Sequence, residues 1–308
     1  MLTTLMTGCS SAKQAVNNTQ SSSNQEQTQT ATKVTTAKTA TAANTVTKAQ
    51  SDKDTNSKSF SSLLKNMDIT KSLFKKGYYD YEGNINNNIK IQMSIYKQNK
   101  EIVGTYFYEK QKKEIKLKGK SDEKDIILYE YDATGKNTGI FMGTMKTVDK
   151  IEGKWVSADN KTSYPFTLTL KSNIAANVYG KRYAVALNTK KDKDVEEFAR
   201  KIQSYVVNGD KQGLVEQIKY PINAKINGKV VKIQNKDYFI KNYDLIFYPK
   251  YKAAISNLFT KNLFVNYQGI MFGQDIFNIW INEVTPTGGI PKLMIRSEER
   301  RVGKECPR

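Results

Sequence analysis

Ile89-Lys90-Ile91-Gln92-Met93-Ser94-Ile95 alternates apolar and polar residues without a break. That is the two-residue period of a strand with one face in a core and the other toward water. Working outward, the same signal returns about every 12 residues, the spacing of an all-β domain. It is seen at Ile102–Tyr108, Glu114–Lys118, Asp125–Tyr131, Gly139–Lys146, Ile151–Ser157 and Tyr164–Leu170. Breaks such as Lys97-Gln-Asn-Lys100 and Asp132-Ala-Thr-Gly135 are short enough for antiparallel hairpins. Strands in series with short turns predict an antiparallel β-meander, and closure into a small barrel would remove its exposed edges. The repeated theme of Gly104-Thr-Tyr106, Gly139-Ile-Phe141 and Gly153-Lys-Trp155 marks bends or close backbone approaches. An eighth strand is available from Tyr78–Tyr81 or from Val178–Leu187, and a short helical lead-in is expected near Phe60–Met67. These elements place a barrel-like domain at residues 60–187.

In rhythm, the meander resembles the small avidin- and lipocalin-like barrels. A barrel of this size holds one small ligand or fills with its own side chains. Tyr106, Tyr129 and Trp155, with Tyr108 and Tyr131 nearby, are candidates to line a pocket, although core and girdle positions are the commoner role for such residues.

Residues 188–295 mix helix and sheet. Asp194 followed by Glu197 reads as a capping box. Beyond it Val195, Phe198, Ala199, Ile202, Tyr205 and Val206 share one helical face, ended by Asn208-Gly209. A short helix fits Lys211–Ile218, and Asn227-Gly228 signals a hairpin between Ile222–Asn227 and Lys229–Gln234. Asn235 caps a third helix, which Pro249 is expected to end. Strand-like runs follow at Leu263–Tyr267, Gly269–Phe272, Asp275–Glu283 and Lys292–Ile295. This order, with Tyr220-Pro-Ile222, Tyr243-Asp-Leu-Ile-Phe247, Asn266-Tyr-Gln-Gly-Ile-Met-Phe-Gly273 and Ile279-Trp280-Ile281, resembles the nuclear transport factor-like domain at the end of secreted bacterial lipoproteins. The resemblance covers Asp192 to Ile295. It implies a curved sheet wrapped around a long helix, with a cone-shaped pocket and no particular reaction. Tyr205, Tyr243, Asp244, Tyr267 and Trp280 are the candidates to reach such a pocket. The expected fold class is therefore α+β: a barrel-like meander, then a cone.

The ends have a different character. Met6-Thr7-Gly8-Cys9 resembles a lipobox, in which Cys9 takes a lipid and becomes the mature N-terminus. Residues 1–9 are then the remnant of a signal whose cationic and apolar segments are missing. Residues 10–59 are rich in Ser, Thr, Asn, Gln, Ala and Lys and hold no aromatic residue, Gly or Pro, which predicts a disordered tether. At the other end, residues 296–308, and 296–306 most clearly, resemble a translated sequencing adapter, so Cys306 is read as no functional thiol.

Composition narrows the chemistry. The chain has no His and only two Cys, which removes His-based nucleophile pairs, His-ligated metal sites and Cys-rich zinc sites. A net charge of +19, carried mostly by lysine, suits an anionic partner. Export argues against nucleic acid and for wall polymers. The expectation is a non-catalytic binding module on the outer face of the cytoplasmic membrane, of a Gram-positive cell, anchored through Cys9. It would use no cofactor or metal, and it would meet a wall polymer, glycan, peptide or small apolar ligand. The alternatives are an enzyme using Asp244 and a neighbouring tyrosine for proton transfer, and an envelope protein–protein interaction or inhibitor module.

Overall fold

Alternating strands joined by tight turns close on themselves in the computed structural model, which describes residues 66–296. Cys9, the tether, most of the expected Phe60–Met67 helix and the tail after Arg296 lie outside the described residues. The barrel strands run β1 (Tyr78–Ile85), β2 (Ile89–Gln98), β3 (Glu101–Tyr108), β4 (Glu114–Ser121), β5 (Asp125–Tyr131), β6 (Asn137–Thr144), β7 (Lys150–Ser157) and β8 (Ser163–Ile174). Each is antiparallel to the next, and β1 pairs with β8 to close the ring. The eighth strand is thus Tyr78–Ile85; Val178–Leu187 forms no strand. Two-residue turns help to set the register: Gln98 faces Glu101, with Asn99 at φ 55, a conformation asparagine tolerates well.

Strand alternation sends Tyr81, Ile91, Ile95, Tyr106, Leu128 and Phe141 inward, each at most 2% exposed. The barrel interior is therefore packed with side chains. Gly153 shows how tightly adjacent strands approach: a Cβ there would lie 1.9 Å from the Met142 carbonyl oxygen.

The second region starts two residues before its expected cap, at α1 (Asp192–Asn208). Asp194 sits inside the first turn, and its carboxylate accepts the Lys191 N–H at 2.8 Å. Asp192 accepts the Arg182 and Tyr183 N–H groups at 2.6 and 3.2 Å, pinning the preceding segment. Gly209, at φ 67, ends the helix. Next come α2 (Lys211–Val215), the hairpin β9 (Ile222–Ile226) and β10 (Lys229–Ile233), and α3 (Lys236–Ile246), capped by the Asn235 side chain. Pro249 corrects the expectation. It opens a further helix, α4 (Pro249–Asn257), instead of merely terminating α3, because its fixed φ and missing N–H suit a first helical position. Strands β11 (Phe264–Asn266), β12 (Gly269–Gln274), β13 (Phe277–Val284) and β14 (Lys292–Arg296) form a separate antiparallel sheet. The buried face of α1, with Val195, Ala199, Ile202 and Val206 fully enclosed, shares a core with Phe272 and Ile281 of that sheet.

Tyr183 is fully buried in this second core, as are Tyr78 and Tyr96, which project outward from the barrel. Arg182 ties the two regions together. Its side chain is 3% exposed and bonds both carboxylate oxygens of Asp80 on β1. It also donates to the Ser94 hydroxyl on β2 and to the carbonyl oxygens of Asn262 and Leu263 before β11.

Candidate functional site

Apolar side chains from the β9–β10 hairpin, α3, α4 and the β12–β13 edge leave a pocket of about 500 Å³. Alternation along β9 turns Ile222 and Ala224 to the same side, and helical spacing brings Phe239, Ile246 and Phe247 opposite them. Ile279 and Trp280 border it on the sheet side from opposite faces of β13, with Trp280 8% exposed. Tyr251 reaches across from α4 and donates to the Asn278 carbonyl at 2.6 Å. Burial pushes its phenol far up, so it acts as a neutral donor. At the mouth, apolar surface stays open to solvent: Ile276 is 62% exposed and Leu245 46%. Lys225 stands at the rim.

The five tyrosine, aspartate and tryptophan candidates of this region do not converge. Trp280 lines the pocket. Tyr243 is fully buried in the core, its hydroxyl 3.4 Å from the Val206 carbonyl and its pKa raised by burial to about 12. Asp244 borders the pocket, but its carboxylate points to solvent, 66% exposed, and bonds Lys211 at 2.8 Å and Lys252 at 3.1 Å. Those two hydrogen bonds hold its pKa below the ordinary value, the reverse of the desolvated acid that proton transfer would need. Tyr205 lies half-buried on α1, under the Lys201 ammonium. Tyr267 is 79% exposed in the β11–β12 turn.

In the barrel, Tyr106 and Trp155 meet at a residue that composition and spacing did not single out. Glu130, 4% exposed, accepts the Tyr106 hydroxyl at 2.5 Å and the Trp155 indole N–H at 3.0 Å on one oxygen. Its other oxygen accepts the Thr138 hydroxyl at 2.8 Å. Strand parity carries the missed signal, since Ile126, Leu128 and Glu130 share the inward face. The same parity places Tyr129 on the outer surface, against Met67, Ile127 and Ile140.

A larger cleft, of about 970 Å³, lies where the outer wall of β1–β3 faces the end of α4 and strands β12–β13. Its rim carries several lysines. Near this junction, burial raises the Glu196 carboxyl on α1 to about 7, opposed by Lys261 and reinforced by Glu114 and Asp192. Among the described residues no group of three or more His, Cys, Asp or Glu side chains is placed to hold a metal ion. No helix among them is long and apolar enough to cross a membrane. No family model and no curated protein matches this chain.

Proposed function

We propose that this chain is a lipid-anchored, extracytoplasmic binding module whose helix–sheet region is a nuclear transport factor-like cone that captures a small apolar ligand. The observation that carries the reading is the 500 Å³ pocket walled by Ile222, Phe239, Phe247, Ile279 and Trp280, with open apolar surface at its mouth. That volume falls within the range of small-molecule sites, which are mostly apolar with a few placed polar groups. The order helix, helix, hairpin, helix pair and four-stranded sheet fits the cone. The exposed, twice-paired Asp244 favours capture over acid–base chemistry. Anchoring through Cys9 would hold the pocket outside the membrane, where a ligand with an apolar body would transfer from a surface or a partner. Lys225 at the rim suits a ligand with an anionic end.

The test is a titration of the full chain with dodecanoate, read by Trp280 fluorescence in a Trp155→Phe background. Saturable binding is expected, and Ala224→Phe, which fills the pocket from β9, should abolish it without lowering the thermal midpoint by more than a few degrees. Binding indifferent to Ala224→Phe would remove the pocket from the function.

A further inference from the structure

The junction cleft carries more positive charge than the fold uses. Five lysines border it: Lys90, Lys110, Lys112, Lys171 and Lys261. Three are engaged within the protein, Lys171 with Glu82 at 3.1 Å, Lys261 with Glu114, and Lys112 with the Ser256 carbonyl at 3.0 Å. Lys90 and Lys110 have no side-chain partner among the described residues. Of the facing carboxylates, Asp80 is held by Arg182 and Glu82 by Lys171, while Glu109, which accepts the Gln92 amide at 3.4 Å, keeps its charge, so the lysines outnumber the carboxylates five to three. A concave wall with a surplus of one sign concentrates counter-ions more than the same charge spread over a convex face.

We propose that this cleft is a second binding site, for a phosphodiester-linked polymer of polyols or sugars. The chemistry of the donors points to phosphate. Lysine offers compact point charges that suit phosphate oxygens, whereas planar carboxylates are best read by the arginine fork, and Arg182 is committed to Asp80. The spread of the lysines points to a chain with several charges. Lys171 lies on β8 and Lys110 and Lys112 follow β3, three strand spacings apart, or about 14 Å along the barrel wall, so a chain with several charges can meet more of them than a single phosphate does. The aromatic residues of the cleft argue against single-stranded nucleic acid, which needs free ring faces for its bases. Phe107 and Phe259 are closed on each other with centroids 3.8 Å apart, and Phe277 packs on Tyr251 at 5.5 Å. This site is distinct from the apolar pocket and stands or falls independently of it.

The experiment is a fluorescence-anisotropy titration of the full chain with labelled glycerol-phosphate oligomers at low and near-physiological salt. Saturable binding is expected, weakened about tenfold or more by Lys90→Gln with Lys110→Gln, the scale of two surface lysines meeting anionic groups. Lys229→Gln with Lys232→Gln on β10, which removes the same charge elsewhere, should change affinity less than about twofold. Equal losses in the two double variants would show a diffuse counter-ion surface and overturn the site. Absence of saturable binding, or equally tight binding of oligo-dT or polyglutamate, would overturn it as well.

Discussion

Replacing Arg182 with methionine keeps an unbranched apolar stem and removes five donated hydrogen bonds at the junction of barrel and helix–sheet region. Asp80 then retains only the hydroxyls of Ser94 and Ser172, at 2.7 and 2.6 Å, for a carboxylate that is 18% exposed. The carbonyls of Leu263 and Asn262 lose their Arg182 donors. Removing one partner of a buried pair costs about 3–5 kcal/mol, because the remaining charge is uncompensated. Orphaned carbonyls add about 1 kcal/mol each, without strict additivity. The expected loss is about 5 kcal/mol, a fall of roughly 10–20 °C in Tm for a folded part of this size. Asp80→Leu combined with Arg182→Met should recover most of it, since an apolar replacement of both partners is often close to neutral. The assay is urea unfolding followed separately by Trp155 in the barrel and Trp280 in the sheet, in single-tryptophan backgrounds. In Arg182→Met the two midpoints should separate. A loss below about 1 kcal/mol, or a double variant no better than the single one, would refute the view that this pair couples the two regions.

Three further outcomes follow from individual contacts. Burial lifts Glu196 from 4.5 to about 7, so the folded state holds its proton more tightly than the unfolded state does. Stability should therefore fall as pH rises from about 4.5 to about 7. Glu196→Gln, allowing for solvent screening, should stabilise by about 1–2 kcal/mol at pH 8 and negligibly at pH 4; equal effects at both would contradict this. Gly139→Ala sets a Cβ 2.8 Å from both a Glu130 oxygen and the Trp155 indole nitrogen. It should cost about 1–3 kcal/mol and shift Trp155 emission, and unchanged emission would mean the indole–carboxylate bond is absent. Asp244→Asn should leave dodecanoate affinity unchanged, and a large loss would bring the acid back into the site.

The barrel was legible because its seven clear strands alternate with period two and its turns are short. The closing strand was ambiguous because Tyr78-Tyr79-Asp80-Tyr81 is aromatic on both faces: Tyr79 and Tyr81 fill the barrel, whereas Tyr78 joins the other core. Helix α4 escaped notice because proline marks both the end of one helix and the first turn of the next. Among candidate site residues, aromatic type alone did not separate Tyr106, aimed inward at Glu130, from Tyr129, aimed outward; parity along each strand does. Arg182 and Asp80 are 102 residues apart, and no local pattern encodes such a pairing. Trp280 borders the pocket, while Tyr205, Tyr243 and Tyr267 were divided between core and surface by packing that spacing does not record.

The most direct measurement is a methyl NMR titration of the isoleucine-labelled full chain with dodecanoate. Capture in the helix–sheet pocket predicts saturable shifts confined to Ile218, Ile222, Ile246, Ile276, Ile279 and Ile295, which line it. Shifts at Ile91, Ile95 and Ile126 would place the ligand in the barrel interior instead, and no shift at any of these methyls would contradict capture altogether.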